Sequence, residues 1–145
     1  MSEYTDLAVD LFERGFNCAQ SVLAVFCEKY GADIDTAARA AAGFGGGLGC
    51  GEACGALSGA IMVVGQKYGA VEPEDAAAKE NCRARTTEVT ERFRARNGAV
   101  RCSDLLGCQT STPEGRERYE ADGLRARICV PAVVGAVEIL EEIGY

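Results

Sequence analysis

The chain contains no histidine. That excludes Ser-His-Asp and Cys-His activation of a nucleophile, mixed Cys/His zinc sites and imidazole acid–base chemistry. Any metal must be held by thiolates, carboxylates, backbone groups or an outside ligand. Basic residues are also outnumbered: 15 Lys and Arg stand against 22 Asp and Glu, a formal charge of -7. A negative surface repels phosphate, so nucleic acid is not an expected partner. Long apolar runs are missing too. The longest uncharged stretch, Ala53–Gln66, is shorter than a bilayer span and broken by glycine, which argues against direct membrane insertion. The opening Met1-Ser2-Glu3-Tyr4-Thr5-Asp6 carries neither the basic nor the apolar region of a signal peptide. The expected location is therefore the cytoplasm.

What remains is a globular composition. Over 145 residues, 48% are hydrophobic and 26% charged, enough for one domain spanning residues 1–145 with a real core. Eight cysteines need an explanation. In a reducing compartment they point less to a disulfide scaffold than to metal binding, redox chemistry or plain core packing.

The apolar pattern is helical throughout. Tyr4, Leu7, Ala8, Leu11 and Phe12 form a stripe that stops at Gly15. Asn17 is placed to cap a second helix with Val22, Val25, Phe26 and Tyr30 on its buried side, ended by Gly31. A short alanine-rich helix runs from about Ile34 to Ala42. Six glycines then crowd Gly43–Gly51, a density that no stable helix tolerates, since each costs about 1 kcal/mol against alanine. A fourth helix is expected from near Ala53–Cys54 to Tyr68, with Gly55, Ala56, Gly59 and Ala60 making a face small enough for another helix or a compact cofactor to approach. Pro73 is expected near the first turn of a long fifth helix that ends at Asn97 before Gly98. Short helices follow at Ser103–Leu106 and from Pro113, and the last begins at Pro131 with Val133, Val134, Val137, Leu140 and Ile143 as its apolar surface. Ile61-Met62-Val63-Val64 is the one rival for a strand, and it lies inside a longer helical pattern. The expected fold is all-α, a compact multi-helix bundle with one glycine-rich loop.

Four of the cysteines share a context. Cys18 follows the cap Asn17, Cys54 opens the small-residue helix, Cys102 precedes Ser103-Asp104-Leu105-Leu106, and Cys129 stands two residues before Pro131. Each falls at or near an expected helix start, where free N–H groups and the positive helix end stabilise a thiolate or the sulfur of a metal cluster. Four thiolates satisfy a tetrahedral zinc or an iron–sulfur cluster. Against this stands the ordinary use of free cysteine as a small core residue. Cys27 and Cys82 read as core. Cys50 and Cys108 could join the site or stay outside it. The glycine loop lacks Gly-Lys-Ser/Thr and follows no strand, so a phosphate-binding fingerprint is not expected. Glu52 and the clusters Glu72, Glu74, Asp75 and Glu138, Glu141, Glu142 read as helix surface charge.

These segments together resemble a family of redox-active proteins defined by a Cys…Cys-Gly-Ala-x-x-Gly…Cys…Cys pattern. The central motif is Cys54-Gly55-Ala56-Leu57-Ser58-Gly59. Gly15-Phe16-Asn17-Cys18-Ala19-Gln20-Ser21-Val22 is similar to the first cysteine segment and Cys102-Ser103-Asp104-Leu105-Leu106-Gly107 to the third. Cys129-Val130-Pro131 is similar to the fourth, with its proline one place further from the cysteine. The resemblance implies redox activity, an association with transporters, and kinship to a module of multihaem cytochromes that carry a labile iron–sulfur centre. It implies cluster binding at Cys18, Cys54, Cys102 and Cys129. No Cys-x-x-Cys-His occurs, so covalent haem attachment is not expected.

Three functions compete. The preferred one is an electron-transfer protein with an iron–sulfur cluster on the four cysteines. The second is a metal-free thiol–disulfide protein, with Cys54 as nucleophile and Cys18 or Cys50 resolving. The third is a zinc-binding module, metallochaperone or accessory to a membrane transporter. Partners expected are a redox protein or a transporter, and a homodimer could share ligands between chains.

Overall fold

A computed structural model describes all residues, 1–145, and the fold is all-α. Eight α-helices follow one another: α1 Glu3–Glu13, α2 Cys18–Cys27, α3 Ile34–Ala41, α4 Gly55–Tyr68, α5 Ala76–Asn97, α6 Cys102–Leu106, α7 Pro113–Ala121 and α8 Val130–Glu142. The only extended pairing is an isolated antiparallel bridge between Ala53 and Arg101.

Local chemistry explains most boundaries. Asn17 caps α2 by accepting the Gln20 N–H at 2.8 Å, while the Gln20 side chain accepts the Asn17 N–H at 3.0 Å. This reciprocal arrangement satisfies two donors that a helix start leaves free. The Asn17 amide also donates to the carbonyls of Ala41 and Ala42, tying the start of α2 to the end of α3. Asn17→Ala is expected to cost about 1–2 kcal/mol, read as a lower urea midpoint at unchanged slope. Thr112 caps α7 ahead of Pro113, as the sequence indicates.

Two boundaries differ from the sequence reading. Asp75 is the cap of α5 and accepts the Ala78 N–H at 3.0 Å, so Pro73 lies in the preceding turn rather than in the helix. A capping carboxylate two residues on defines the start more strongly than proline does. The last helix does not begin at Pro131. A wide π turn, Arg125–Cys129, runs without a break into α8. Pro131 cannot donate to the carbonyl four residues back, and here it marks a change of helical register rather than a helix start.

One core cluster of 25 buried residues draws on α1, α2, α3, α4, α5 and α8, with Phe12, Phe26 and Phe93 among its largest fully buried side chains. The small face of α4 packs against a helix. A Cβ on Gly59 would stand 2.6 Å from the Ala19 carbonyl oxygen, and one on Gly55 would stand 3.1 Å from the Cys18 Cβ. The two glycines thus let α4 lie directly against α2. Leu7 departs from the expected buried stripe and is 44% exposed.

The glycine segment is a left-handed loop. Gly46, Gly47, Leu48, Gly49 and Gly51 all have positive φ, a run that only glycine-rich sequence adopts without large strain. Gly47 is needed for a second reason: a Cβ there would come within 2.7 Å of the Cys102 Cβ. No helix is long and apolar enough to cross a membrane.

Candidate functional site

The glycine loop turns the chain so that two cysteine segments lie side by side. Cys102 N–H donates to the Glu52 carbonyl at 2.6 Å, and Cys54 N–H donates to the Val100 carbonyl at 2.8 Å. Ser103 Oγ adds a bond to the Gly51 carbonyl at 2.9 Å. Glu52 and Arg101 flank this staple as an exposed ion pair, 3.5 Å apart. Cys54 and Cys102 are therefore positioned by main-chain hydrogen bonds. Cys18 reaches the same place on the first turn of α2, which α4 closely approaches. Cys129 arrives from the opposite side on the π turn.

All four face one cavity of about 330 Å³. Phe12, Leu105, Leu106 and Ile128 supply apolar wall, and Asn17, Tyr119 and Arg125 supply polar groups. Cys27 is buried in the core with its thiol donating to the Leu23 carbonyl at 3.5 Å. Cys82 is half-buried against the core. Cys50 is exposed, its thiol turned back to the Gly47 carbonyl at 3.6 Å, and it does not line the cavity. Cys108 also stays off the cavity wall but lies near enough for its charge to act on Cys102.

The four thiols are not equivalent. Burial raises Cys54 above the ordinary thiol range, partly offset by the backbone N–H groups of Ala56 and Leu57 at the α4 start. Burial, reinforced by the neighbouring thiols, pushes Cys102 up to about 12. Cys18 is raised chiefly by its hydrogen bond with Cys129, then by burial. Cys129 moves the other way, to about 7, because Cys18 and Tyr119 hydrogen-bond to its sulfur and the Arg125 charge lies nearby.

The helix-start expectation holds for Cys18, Cys54 and Cys102. It fails for Cys129, whose own backbone is helical and continuous with α8. Side chains, not a helix end, provide its positive surroundings. Of the four cavity thiols, Cys129 alone is moved below the ordinary range, whereas Cys54, the nucleophile expected for a thiol–disulfide reaction, is raised.

The family model described as "Putative redox-active protein (C_GCAxxG_C_C)" matches residues 16–143, a span that holds all four cavity cysteines. The chain belongs to this family. Its central motif runs Cys54-Gly55-Ala56, cysteine before glycine, where the family label writes glycine before cysteine. No curated protein and no solved structure matches the chain.

Within the redox-active family's motif, the structure separates roles that the pattern runs together. Cys54 and Gly55 line the cavity, whereas Gly59 serves only the approach of α2, which Gly55 also permits. Tyr119 and Arg125 are among the polar cavity residues that the sequence reading missed, along with Thr110, Arg116 and Glu120. Arg125 stands four residues before Cys129, a spacing that shares a helix face, but that signal is visible only once the π turn is known to be helical. Tyr119 gives no sequence signal, because α7 and the π turn meet through the chain reversal at Gly123.

Proposed function

We propose that this protein transfers single electrons and holds an iron–sulfur cluster on Cys18, Cys54, Cys102 and Cys129. The observation that carries this reading is the convergence of four cysteines, from four separate chain segments, on one cavity. Thiolate is the donor type such clusters take, and with no histidine in the chain the donor set is all sulfur. In the present side-chain arrangement no three Cys, Asp or Glu groups stand close enough to hold one metal ion.

When bound, the cluster supplies reversible one-electron chemistry. The chain's own residues do the rest. The Ala56 and Leu57 N–H groups at the start of α4 favour negative charge on Cys54. Phe12, Leu105 and Leu106 limit water beside the sulfurs. The main-chain staple fixes Cys54 relative to Cys102. Iron, acid-labile sulfide and visible absorption measured after anaerobic reconstitution test the reading, and protein that remains free of iron and sulfide would sink it.

One observation favours a second reading, a thiol–disulfide reaction: Cys18 and Cys129 face the same cavity and interact there, and Cys129 is the low-pKa member. The Cys129 thiolate would attack one sulfur of a substrate disulfide and release the other as a thiolate. Cys18 would then attack the Cys129 sulfur, leaving a Cys18–Cys129 disulfide and a substrate reduced by two electrons. In reduced, metal-free protein at pH 7.5, iodoacetamide is expected to modify Cys129 about tenfold faster than Cys54 or Cys102. Its rate should rise with pH through a midpoint of about 7. Equal rates at the three sites, read by mass spectrometry, would count against this reading.

A further inference from the structure

Two cavity residues lie beside the sulfur ring without belonging to it. The Tyr119 hydroxyl stands 3.6 Å from the Cys129 sulfur. The Arg125 charge acts on Tyr119 in turn. Its guanidinium is held over the Phe12 ring, 3.7 Å from the centroid, and donates to the Phe12 carbonyl. Arg125 is thus anchored on two sides and aimed at the cavity by α1, while Tyr119 is supplied by α7. Three elements of the fold cooperate to place one hydroxyl and one positive charge next to a single one of the four sulfurs.

We infer that Arg125 and Tyr119 are positioning residues that raise the reduction potential of the centre through Cys129. This rests on the cluster reading above. The couple is one electron, passed from a chemical reductant such as dithionite to the centre, and neither residue changes its bonding. The reduced state carries one more negative charge than the oxidised state. A fixed positive charge and a hydrogen bond to sulfur both favour that added charge. Arg125 is exposed, so solvent and salt weaken its share. The Tyr119 contact is a short-range hydrogen bond and is insensitive to salt.

The test is an anaerobic redox titration of reconstituted protein, followed by visible absorption, with iron content measured on each sample. Arg125→Gln is expected to shift the oxidised-to-reduced ratio about threefold toward oxidised, a fall of about 28 mV for a one-electron couple. Tyr119→Phe should do about the same, and the double variant about tenfold, or 59 mV. Raising the ionic strength should shrink the Arg125→Gln difference and leave that of Tyr119→Phe. Arg125→Lys keeps the charge and should recover most of the wild-type potential. Wild-type potentials in both Arg125→Gln and Tyr119→Phe, at full iron content, would overturn the inference while leaving the cluster reading intact. An Arg125→Lys protein that falls as far as Arg125→Gln would assign the effect to lost anchoring of Phe12 and also overturn it. Wild-type protein that takes up no iron or sulfide would remove both.

Discussion

Cys54→Ser protein, reconstituted anaerobically, is expected to lose its visible absorption and to hold at least about tenfold less iron than wild type. Serine offers a harder, shorter donor than thiolate, and soft iron–sulfur chemistry selects against it. The position makes the loss severe. Cys54 is only 7% exposed, and its backbone is fixed by the bond from its N–H to the Val100 carbonyl. A neighbour cannot swing in to replace it. The same position makes the variant interpretable. Cys54 is the N-cap of α4, where serine is favoured, so helical circular dichroism and melting temperature should hold. Cys50→Ser is the matched control, because Cys50 lies in the same segment but is exposed and off the cavity. Full colour in Cys54→Ser, or equal loss in Cys50→Ser, would remove Cys54 from the ligand set.

The second large effect is on stability. Gly59→Val is expected to destabilise the fold by about 3 kcal/mol or more, lowering the melting temperature by roughly 6–12 °C for a chain of this size. A Cβ at Gly59 meets the Ala19 carbonyl oxygen at 2.6 Å, the Ala19 Cα at 3.0 Å and the Val22 Cβ at 3.1 Å. Two of those atoms are backbone and cannot turn aside. Either α4 moves away from α2, opening the core at Ala56 and Ala60, or the residue adopts a strained geometry. Gly65, one turn and a half further along α4, has nothing within 4 Å of its would-be Cβ. Gly65→Ala should therefore be neutral or stabilise by up to about 1 kcal/mol. A Gly59→Val protein that melts within about 2 °C of wild type would show that α2 and α4 are not packed as described.

Much of the fold was legible because its helix signals are local. Asn17 with Gln20, Thr112 with Pro113, and Gly98 each act on neighbouring backbone, so sequence order suffices to read them. The differences fall where a proline stands near a helix start. At Pro73 a carboxylate cap two residues later took precedence. At Pro131 a π turn carried the helix through. The second difference bears on the chemistry: Pro131 suggests a helix end for Cys129, where the structure has a tyrosine, an arginine and a second cysteine. That the four cysteines share a cavity followed from their common context, with three of the four contexts correct. Their differing ionisation did not follow, because it depends on which side chains meet across α1, α2, α7 and the π turn. Nothing in linear order brings Tyr119 or Phe12 to Cys129.

The staple between Glu52 and Cys102, and between Cys54 and Val100, bears on assembly order as well as on geometry. Cys18 and Cys129 lie near opposite ends of the chain, and they meet only after α1, α2 and α8 have closed on one another. Cys54 and Cys102 need no such closure, since their juxtaposition requires only the glycine loop to wrap and the end of α5 to return. Contacts between distant segments form late because their loop entropy must be overcome first. A nascent chain would thus present a half-site of two thiols before the full ring exists. Metal taken up at that stage would be loosely held and readily exchanged, while closure of the bundle would commit it. On the cluster reading, cofactor loading would begin at this half-site and be completed by closure of the bundle.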